Sequence, residues 1–168
     1  MLPAKRCLAL SFGIVLLLAL WGRFQCWNCD YISHTIPHVP YSVVVLGTLG
    51  ATVLFWVGTQ NLCTPKHPPV FHVAMGMVAT LLGLTLLVTV RMSSTLHHVF
   101  AVGAFGGLLA LLWWDTYLTE RQKPALLAAL TGLFLLQSGL FIRKSHNMGA
   151  AVQLSLTLGL WAYMLCTL

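Results

Sequence analysis

Charged side chains are scarce in this chain, and acidic ones are the scarcest. Of the 168 residues, nine are Lys or Arg and three are Asp or Glu, so charged residues make up 7% of the sequence. A soluble protein has about a quarter of its residues charged, whereas 58% of this chain is hydrophobic. No domain of this size could cover such a surface in water. The composition therefore excludes a soluble protein and predicts an integral membrane protein.

Clusters of basic residues are also missing. The formal net charge is +6, but the nine Lys and Arg residues stand singly or in pairs between apolar runs. Binding of nucleic acid needs a basic patch or stripe, so we expect no nucleic-acid partner. Basic residues beside membrane spans act instead as topology signals and as contacts for anionic lipids. Membrane lipids are therefore the expected partners.

Six long apolar runs account for most of the chain. A helix needs about 20 apolar residues to cross about 30 Å of hydrocarbon, and such runs cover residues 7–22, 42–60, 70–90, 98–118, 125–142 and 148–168. The segments between spans two and six are too short to hold a folded domain. We expect a single all-α transmembrane domain over residues 1–168, a polytopic membrane protein built as a six-transmembrane-helix bundle.

The first apolar run also has the layout of a secretory signal peptide, with a basic start followed by an apolar stretch. A cleaved signal ends in small residues, whereas this run continues into Trp21, Gly22 and Arg23. We therefore interpret it as an uncleaved first span. Two basic residues precede this span and one follows it, so the positive-inside rule predicts that both termini are cytosolic.

Small residues recur at helical spacing in the third and fourth runs. Gly103 and Gly107 lie four positions apart on one face, and Gly76 and Gly83 share a face of the preceding run. In lipid, faces of this kind let two helices approach backbone to backbone. We expect these glycines to pack against other helices, either within the bundle or in a membrane partner or a second copy of the chain.

Polar side chains within the apolar runs are few. Asp115 lies within about one turn of a helix end, so we expect it to snorkel to the surface or to pair with a neighbouring charge without any mechanism. The glutamines are expected to form interhelical hydrogen bonds. A transporter usually shows broken helices or charged groups at mid-depth, and neither is present beyond these amides. The membrane-embedded polar residues are His97, His98, Asp115, Gln137 and Gln153, and the charges near Asp115 are Glu120, Arg121 and Lys123.

Cys26 and Cys29 form a C-x-x-C pair in the loop after the first span. Such a pair either closes a small structural disulfide or cycles between dithiol and disulfide. Cycling would predict a membrane thiol oxidoreductase that uses a quinone. Such enzymes relay electrons through further cysteines on the same face, but the predicted topology puts Cys63 and Cys166 on the opposite face. We favour the structural disulfide and keep the oxidoreductase as an alternative.

Seven histidines raise the question of haem or metal. A bis-histidine haem needs two imidazoles at matching depth, but His72 and His98 enter their predicted spans from opposite sides. Histidines at a membrane interface more often hydrogen-bond to backbone or water than bind zinc. We therefore expect neither a cofactor nor a metal. The histidines that could gather on the outer surface around a zinc ion are His34, His38, His97 and His146.

Two short motifs resemble a known family. Tyr31-Ile32-Ser33-His34-Thr35, followed by Pro37 and Pro40, is similar to the first-loop motif of the DRAM-like six-span family, the damage-regulated autophagy modulator relatives, in which Tyr-Ile-Ser-Asp-Thr precedes prolines. Leu96-His97, with Ala101, Ala104 and Phe105, is similar to the entry of that family's fourth helix. The chain departs from the family pattern at His34, which replaces the usual Asp, and in the short segment 143–147.

The resemblance implies a non-catalytic multi-pass membrane protein. Members of the family modulate autophagy from lysosomal membranes, assist a phosphatidylinositol kinase at the plasma membrane, or take part in remodelling GPI-anchored lipids. We therefore expect a lipid-associated regulator or scaffold in an endomembrane (lysosome, Golgi or ER) or the plasma membrane. Its expected partners are membrane lipids and other membrane proteins or a second copy. A small accessory subunit of a larger membrane complex is a further alternative, because the loops are short.

Overall fold

The computed structural model describes residues 3–26, 35–62, 64–89, 92–119, 123–142 and 149–167. These residues contain no strand, which confirms the all-α prediction. They form six α-helices and one short 3-10 helix at Ile36–His38. The α-helices are α1 (Ala4–Gln25), α2 (Tyr41–Leu62), α3 (Pro69–Leu87), α4 (Ser94–Thr119), α5 (Pro124–Ile142) and α6 (Gly149–Thr167).

Four of these helices are long and apolar enough to cross a membrane. The qualifying stretches lie in α1 to α4 and are 19 to 26 residues long. Helices α5 and α6 contain shorter apolar stretches, Pro124–Leu140 and Val152–Cys166. Membrane embedding by four helices therefore follows from length and composition, and the count of six spans stays a prediction.

Prolines mark several of the helix starts. Helix α1 begins directly after Pro3, while α3 and α5 begin at Pro69 and Pro124. Proline suits the first helical position because the N–H that it lacks would have no intrahelical partner there. The sequence therefore fixes these boundaries locally.

Helix α4 begins at Ser94, one turn earlier than predicted from hydropathy. The reason is a polar cap: the hydroxyl of Ser93 accepts a hydrogen bond from the N–H of Leu96 at 3.3 Å. A serine in this position satisfies a backbone donor that the first helical turn leaves unpaired. As a consequence, His97 and His98 lie inside the first turns of α4 and not before it.

Consecutive helices pack side by side, and α6 returns to contact α1. Each helix runs opposite to the one before it, so the bundle has two ends. We call them the His67 end, where α1, α3 and α5 begin, and the His97 end, where α2, α4 and α6 begin. The main apolar core joins α3, α4, α5 and α6 and reaches Leu8 and Phe55. A smaller core packs Leu18 of α1 against Ile36, Val39 and Val44 at the His97 end.

The outward faces of the helices are apolar as well. Leu17, Leu46, Met77 and Leu135 are each more than 60% exposed. A helix that is apolar on all sides suits a membrane span, because hydrocarbon and not water then covers its outer face.

Candidate functional site

A cavity of about 180 Å³ lies inside the bundle, between α1, α2, α3, α4 and α6. For comparison, an engineered cavity of about 150 Å³ is large enough to bind benzene. Its lining on α1 runs from Leu8 to Ala19, roughly 16 Å along the helix axis at about 1.5 Å per residue. The cavity is therefore narrow and long. Its apolar lining includes Leu8, Phe55, Ala79, Leu108, Leu160 and Met164.

Most of the polar side chains of the wall lie at one end of the cavity. Thr89 follows α3, His97 is in the first turn of α4 and Gln153 is near the start of α6, so all three lie toward the His97 end. The opposite part of the wall is mostly apolar, as at Leu8 and Met164, and Ser11 is its polar residue. A mostly apolar wall with a few polar groups at one place is the usual composition of a small-molecule site.

The hydroxyl groups along the wall donate their protons to nearby backbone. Ser11 donates to the carbonyl of Ala51 at 2.7 Å, Thr85 to the carbonyl of Leu81 at 2.8 Å, and Thr157 to the carbonyl of Gln153 at 2.8 Å. A hydroxyl that has donated its single proton can still accept a hydrogen bond. These groups therefore offer acceptor lone pairs to a ligand.

His97 is held in place by the end of α3. Its Nδ1–H donates to the carbonyl of Val88 at 2.8 Å, and the side chain is buried. This bond ties the start of α4 to the residue that follows the last turn of α3. His97 therefore combines a structural contact with a position in the cavity wall.

Aromatic side chains connect α1 and α6 beside the cavity. The rings of Phe12 and Trp161 stack with centroids 4.1 Å apart, and Trp161 Nε1 donates to the carbonyl of Leu8 at 3.2 Å. Helix α1 packs far more extensively on α2 than on α6. Leu154 of α6 also lines the cavity and is 39% exposed.

A second polar site lies at the His67 end. His67 Nε2 and Asp115 Oδ1 are 2.8 Å apart, with side-chain exposures of 1% and 2%. The backbone N–H of Thr64 points at Nδ1 of His67 at 2.9 Å. Because an amide N–H can only donate, Nδ1 accepts, and Nε2 carries the proton that His67 donates to Asp115. The pair therefore joins the α2–α3 turn to α4.

Aromatic rings shield this pair. Phe71 contacts the His67 ring with centroids 4.3 Å apart and meets Trp114 edge to face at 5.6 Å. Nearby, Tyr163 of α6 and Thr116 of α4 share a hydrogen bond of 3.1 Å. An environment shielded from water strengthens the hydrogen bonds, and it increases the loss of folding free energy when either His67 or Asp115 is removed.

The partner of Asp115 differs from the one expected from the sequence. It is buried, so it does not snorkel to the surface, and the partner that the structure gives it is His67, 48 residues away. Sequence reasoning considered only the charges that follow Asp115. The predicted topology could have identified His67, because it places the turn before the third span and the end of the fourth span on the same side.

The four glycines singled out from the sequence all face helices of the same chain. A Cβ at Gly83 would lie 2.7 Å from Thr52 Oγ1, and one at Gly76 would lie 3.4 Å from the indole nitrogen of Trp56. At Gly107 it would meet Val78 at 3.1 Å, and at Gly103 it would meet Leu81 at 3.3 Å. These positions therefore serve close packing of α3 against α2 and of α4 against α3.

The remaining membrane-embedded polar residues are separate from one another. Gln153 lines the cavity, and His98 makes a local contact with Ser94 one turn back on α4. Gln137 lies on α5, where its side-chain oxygen is buried and has no hydrogen-bond partner among the described residues. The expected interhelical hydrogen bond is thus absent for this oxygen within that part of the chain.

Most of the first-loop predictions lie outside the described residues. Cys29, Tyr31, Ile32, Ser33 and His34 belong to residues 27–34, so a bond between Cys26 and Cys29 stays a prediction. Thr35 is described: it is buried, and its hydroxyl donates to the carbonyl of Ala19 at 3.3 Å. The end of this loop is therefore packed against α1.

A groove runs along the outer face of α2 and α3. Trp56 and Gly76 line it, and Gln60 and His72 meet at one end, where His72 Nδ1 and Gln60 Oε1 are 2.7 Å apart. His72 lies in the first turn of α3, at the His67 end, whereas His98 lies near the start of α4, at the other end. The two histidines are thus placed at opposite ends of the bundle.

Comparison of the chain with protein families, curated proteins and solved structures found no match.

Proposed function

We propose that this chain is a six-span, non-catalytic membrane regulator or scaffold that holds a membrane lipid within its bundle. The observation that carries the proposal is the long apolar cavity between α1, α2, α3, α4 and α6. The resemblance to the DRAM-like family agrees with this role. It favours a role in autophagy or in phosphoinositide or GPI-lipid pathways. The location would be an endomembrane or the plasma membrane, and the partners would be other membrane proteins or a second copy of the chain.

The lengths of α5 and α6 support a count of six spans. Each has 19 residues, roughly 28 Å at about 1.5 Å per residue, which is close to the thickness of the hydrocarbon core. Leu130 of α5 packs on α6, where Gly159 leaves room for it. This packing of α5 against α6 supports the inclusion of both helices in the proposed six-span bundle.

Lipid occupancy follows from the cost of an empty apolar space. Side chains around a void lose dispersion contacts that a filled space would give them. Water is a poor occupant, because it needs two to four polar partners and the wall near Leu8, Phe55 and Leu160 is apolar. In a bilayer, lipid chains are the most abundant molecules that can fill this space.

The positions of the described thiols favour a non-catalytic role over the thiol oxidoreductase. Cys7 is buried in the first turns of α1 and Cys166 is exposed in the last turn of α6. Both lie at the His67 end, whereas Cys26 follows the last residue of α1 at the His97 end. A relay by direct thiol exchange needs cysteines on one face.

Native mass spectrometry of the chain purified in mild detergent tests the proposal. We expect a bound lipid at one copy per chain that survives mild activation. Widening a lipid-facing side chain with Ala162→Leu provides the matched control, because Ala162 is exposed on α6. The control should keep the lipid, and Ala79→Leu, which narrows the cavity, should lose it. A wild-type chain that carries no lipid under conditions that preserve its fold would contradict the proposal.

A further inference from the structure

We infer that the cavity takes the single extended chain of an uncharged lipid with a hydroxyl-bearing head, placed at the His97 end, and that this lipid enters sideways between α1 and α6. The inference rests on the proposed lipid-holding function and deepens it. It names the chemistry, the orientation and the route of the ligand.

The absence of charge in the wall selects an uncharged ligand. None of the described residues that line the cavity is Lys, Arg, Asp or Glu. A carboxylate or phosphate buried there would lose its hydration without gaining an opposite charge, which is strongly unfavourable. A fatty acid anion or a phospholipid head is therefore a poor fit inside this cavity.

The hydrogen-bonding pattern selects a head group that donates. Thr85 and Thr157 donate their own protons to helix carbonyls, so their oxygens face a ligand as acceptors. More of the polar side chains of the wall lie toward the His97 end (Thr85, Thr89, His97 and Gln153) than beside Leu8, where Ser11 is the polar residue, so the head of the lipid belongs at the His97 end. The tail then extends toward Leu8 and Met164, where the wall is apolar.

The shape of the cavity selects one chain. The lining of α1 covers roughly 16 Å of helix for a volume of about 180 Å³. Such a long space of limited volume fits one extended aliphatic chain better than two chains side by side or a fused ring system.

The route is set by the seam between α1 and α6, where α1 packs far less extensively than it does on α2. Helices α2 and α3 approach closely at Gly83, and α3 and α4 do so at Gly107. At the α1–α6 seam, by contrast, side chains supply the closure, through the Phe12–Trp161 stack and the hydrogen bond from Trp161 to Leu8. Rotation of one indole ring would open this seam.

Photolabelling in liposomes tests the class of ligand. The full chain is exposed to three probes with the same diazirine-bearing chain: a monoacylglycerol, a fatty acid and a lysophosphatidic acid. We expect the monoacylglycerol to label residues of the cavity wall on α1 and α6, with competition by unlabelled monoacylglycerol. Equal labelling of the wall by the charged probes would overturn the inference and leave the lipid-holding function standing. Failure of all three probes to label the wall would overturn both.

Two variants that fill the cavity from different helices distinguish loss of the binding site from loss of the fold. Ala79→Leu fills the cavity from α3, and Leu16→Trp fills it from the half-buried edge of α1. Each variant that elutes as a monodisperse species should lose most of the wall labelling, while Ala162→Leu should keep it. Labelling that persists in a folded cavity variant would contradict the assigned site.

Entry is tested by the rate of labelling. Trp161→Phe keeps a ring for the stack with Phe12 but removes the donor to Leu8. We expect the monoacylglycerol probe to reach its labelling plateau several-fold faster than in the wild-type chain. An unchanged rate would rule out the α1–α6 seam as the route.

Discussion

His67 Nε2 lies 2.8 Å from Asp115 Oδ1, and the two side chains are almost completely buried. The contact joins the turn between α2 and α3 to the last turns of α4. It therefore fixes the relative height of three helices at the His67 end. A single carboxylate inside an apolar bundle requires such a partner, because an unpaired one would be very costly.

Removing Asp115 should destabilise the bundle strongly. In Asp115→Ala the N–H of His67 is left buried without an acceptor, and the expected loss is about 3 kcal/mol in the free energy of unfolding. Asp115→Asn should cost less, because the amide oxygen can still accept from His67. Thermal unfolding in detergent measures the difference. The matched control is His98→Ala, whose contacts with Ser94 are local. An Asp115→Ala variant as stable as this control would refute the structural role of the pair.

The pair should also show energetic coupling. Asp115→Ala and His67→Ala each leave a buried partner behind, whereas the double variant leaves none. We expect the double variant to be less destabilised than the sum of the two single variants, by about 1 to 3 kcal/mol. The same unfolding measurement on all four proteins gives this value. Simple additivity would show that the two side chains act independently.

Close packing at Gly83 predicts that alanine destabilises the protein more at this position than at Gly132. The Cβ of Gly83→Ala would lie 2.7 Å from Thr52 Oγ1, so the Thr52 side chain or the two helices must shift, and overpacking of this kind costs about 1 to 3 kcal/mol. At Gly132 nothing lies within 4 Å of an added Cβ. Gly132→Ala should therefore be neutral or stabilising by up to about 1 kcal/mol, since alanine is the better helix former. Equal melting temperatures for the two variants would contradict the α2–α3 contact.

Six spans predict the sides on which thiols can be labelled. Lys66→Cys and Lys123→Cys should react with a membrane-impermeant maleimide from one side of sealed vesicles, and Ser42→Cys should react from the other. All three positions are exposed at helix ends or in turns. The labelling of each variant is compared with that of the wild-type chain, whose native cysteines give the background. If Lys66→Cys and Lys123→Cys react from opposite sides, the prediction that α2 and α4 end on the same side of the membrane is wrong.

The scaffold proposal makes a prediction for the C-x-x-C pair. Mass-spectrometric thiol trapping should find the oxidation state of Cys26 and Cys29 unchanged when a quinone is added to membranes that contain the chain. A structural bond resists exchange, whereas a catalytic pair cycles. Rapid quinone-dependent exchange would favour the thiol oxidoreductase over the scaffold.

Hydropathy located every helix of the structure to within a few residues, because a span must be about 20 apolar residues long. The largest difference at a helix start is at α4, where the cap at Ser93 extends the helix by a turn. Hydropathy misses such a cap because serine is polar. The cavity, in contrast, left no mark in the sequence, since Leu8, Ala79 and Leu160 look like any other apolar residues of a span.

The sequence by itself determined that the helices suit a membrane environment and, to within a few residues, where each helix begins and ends. Both depend on composition and on hydrogen bonds between residues four apart, which are local properties. Only the tertiary structure decided that His67 meets Asp115 and that five helices line a cavity. Helices that are apolar on every face carry no amphipathic pattern to show which side packs inward, so the choice of neighbours is made by the fit of side chains across helices.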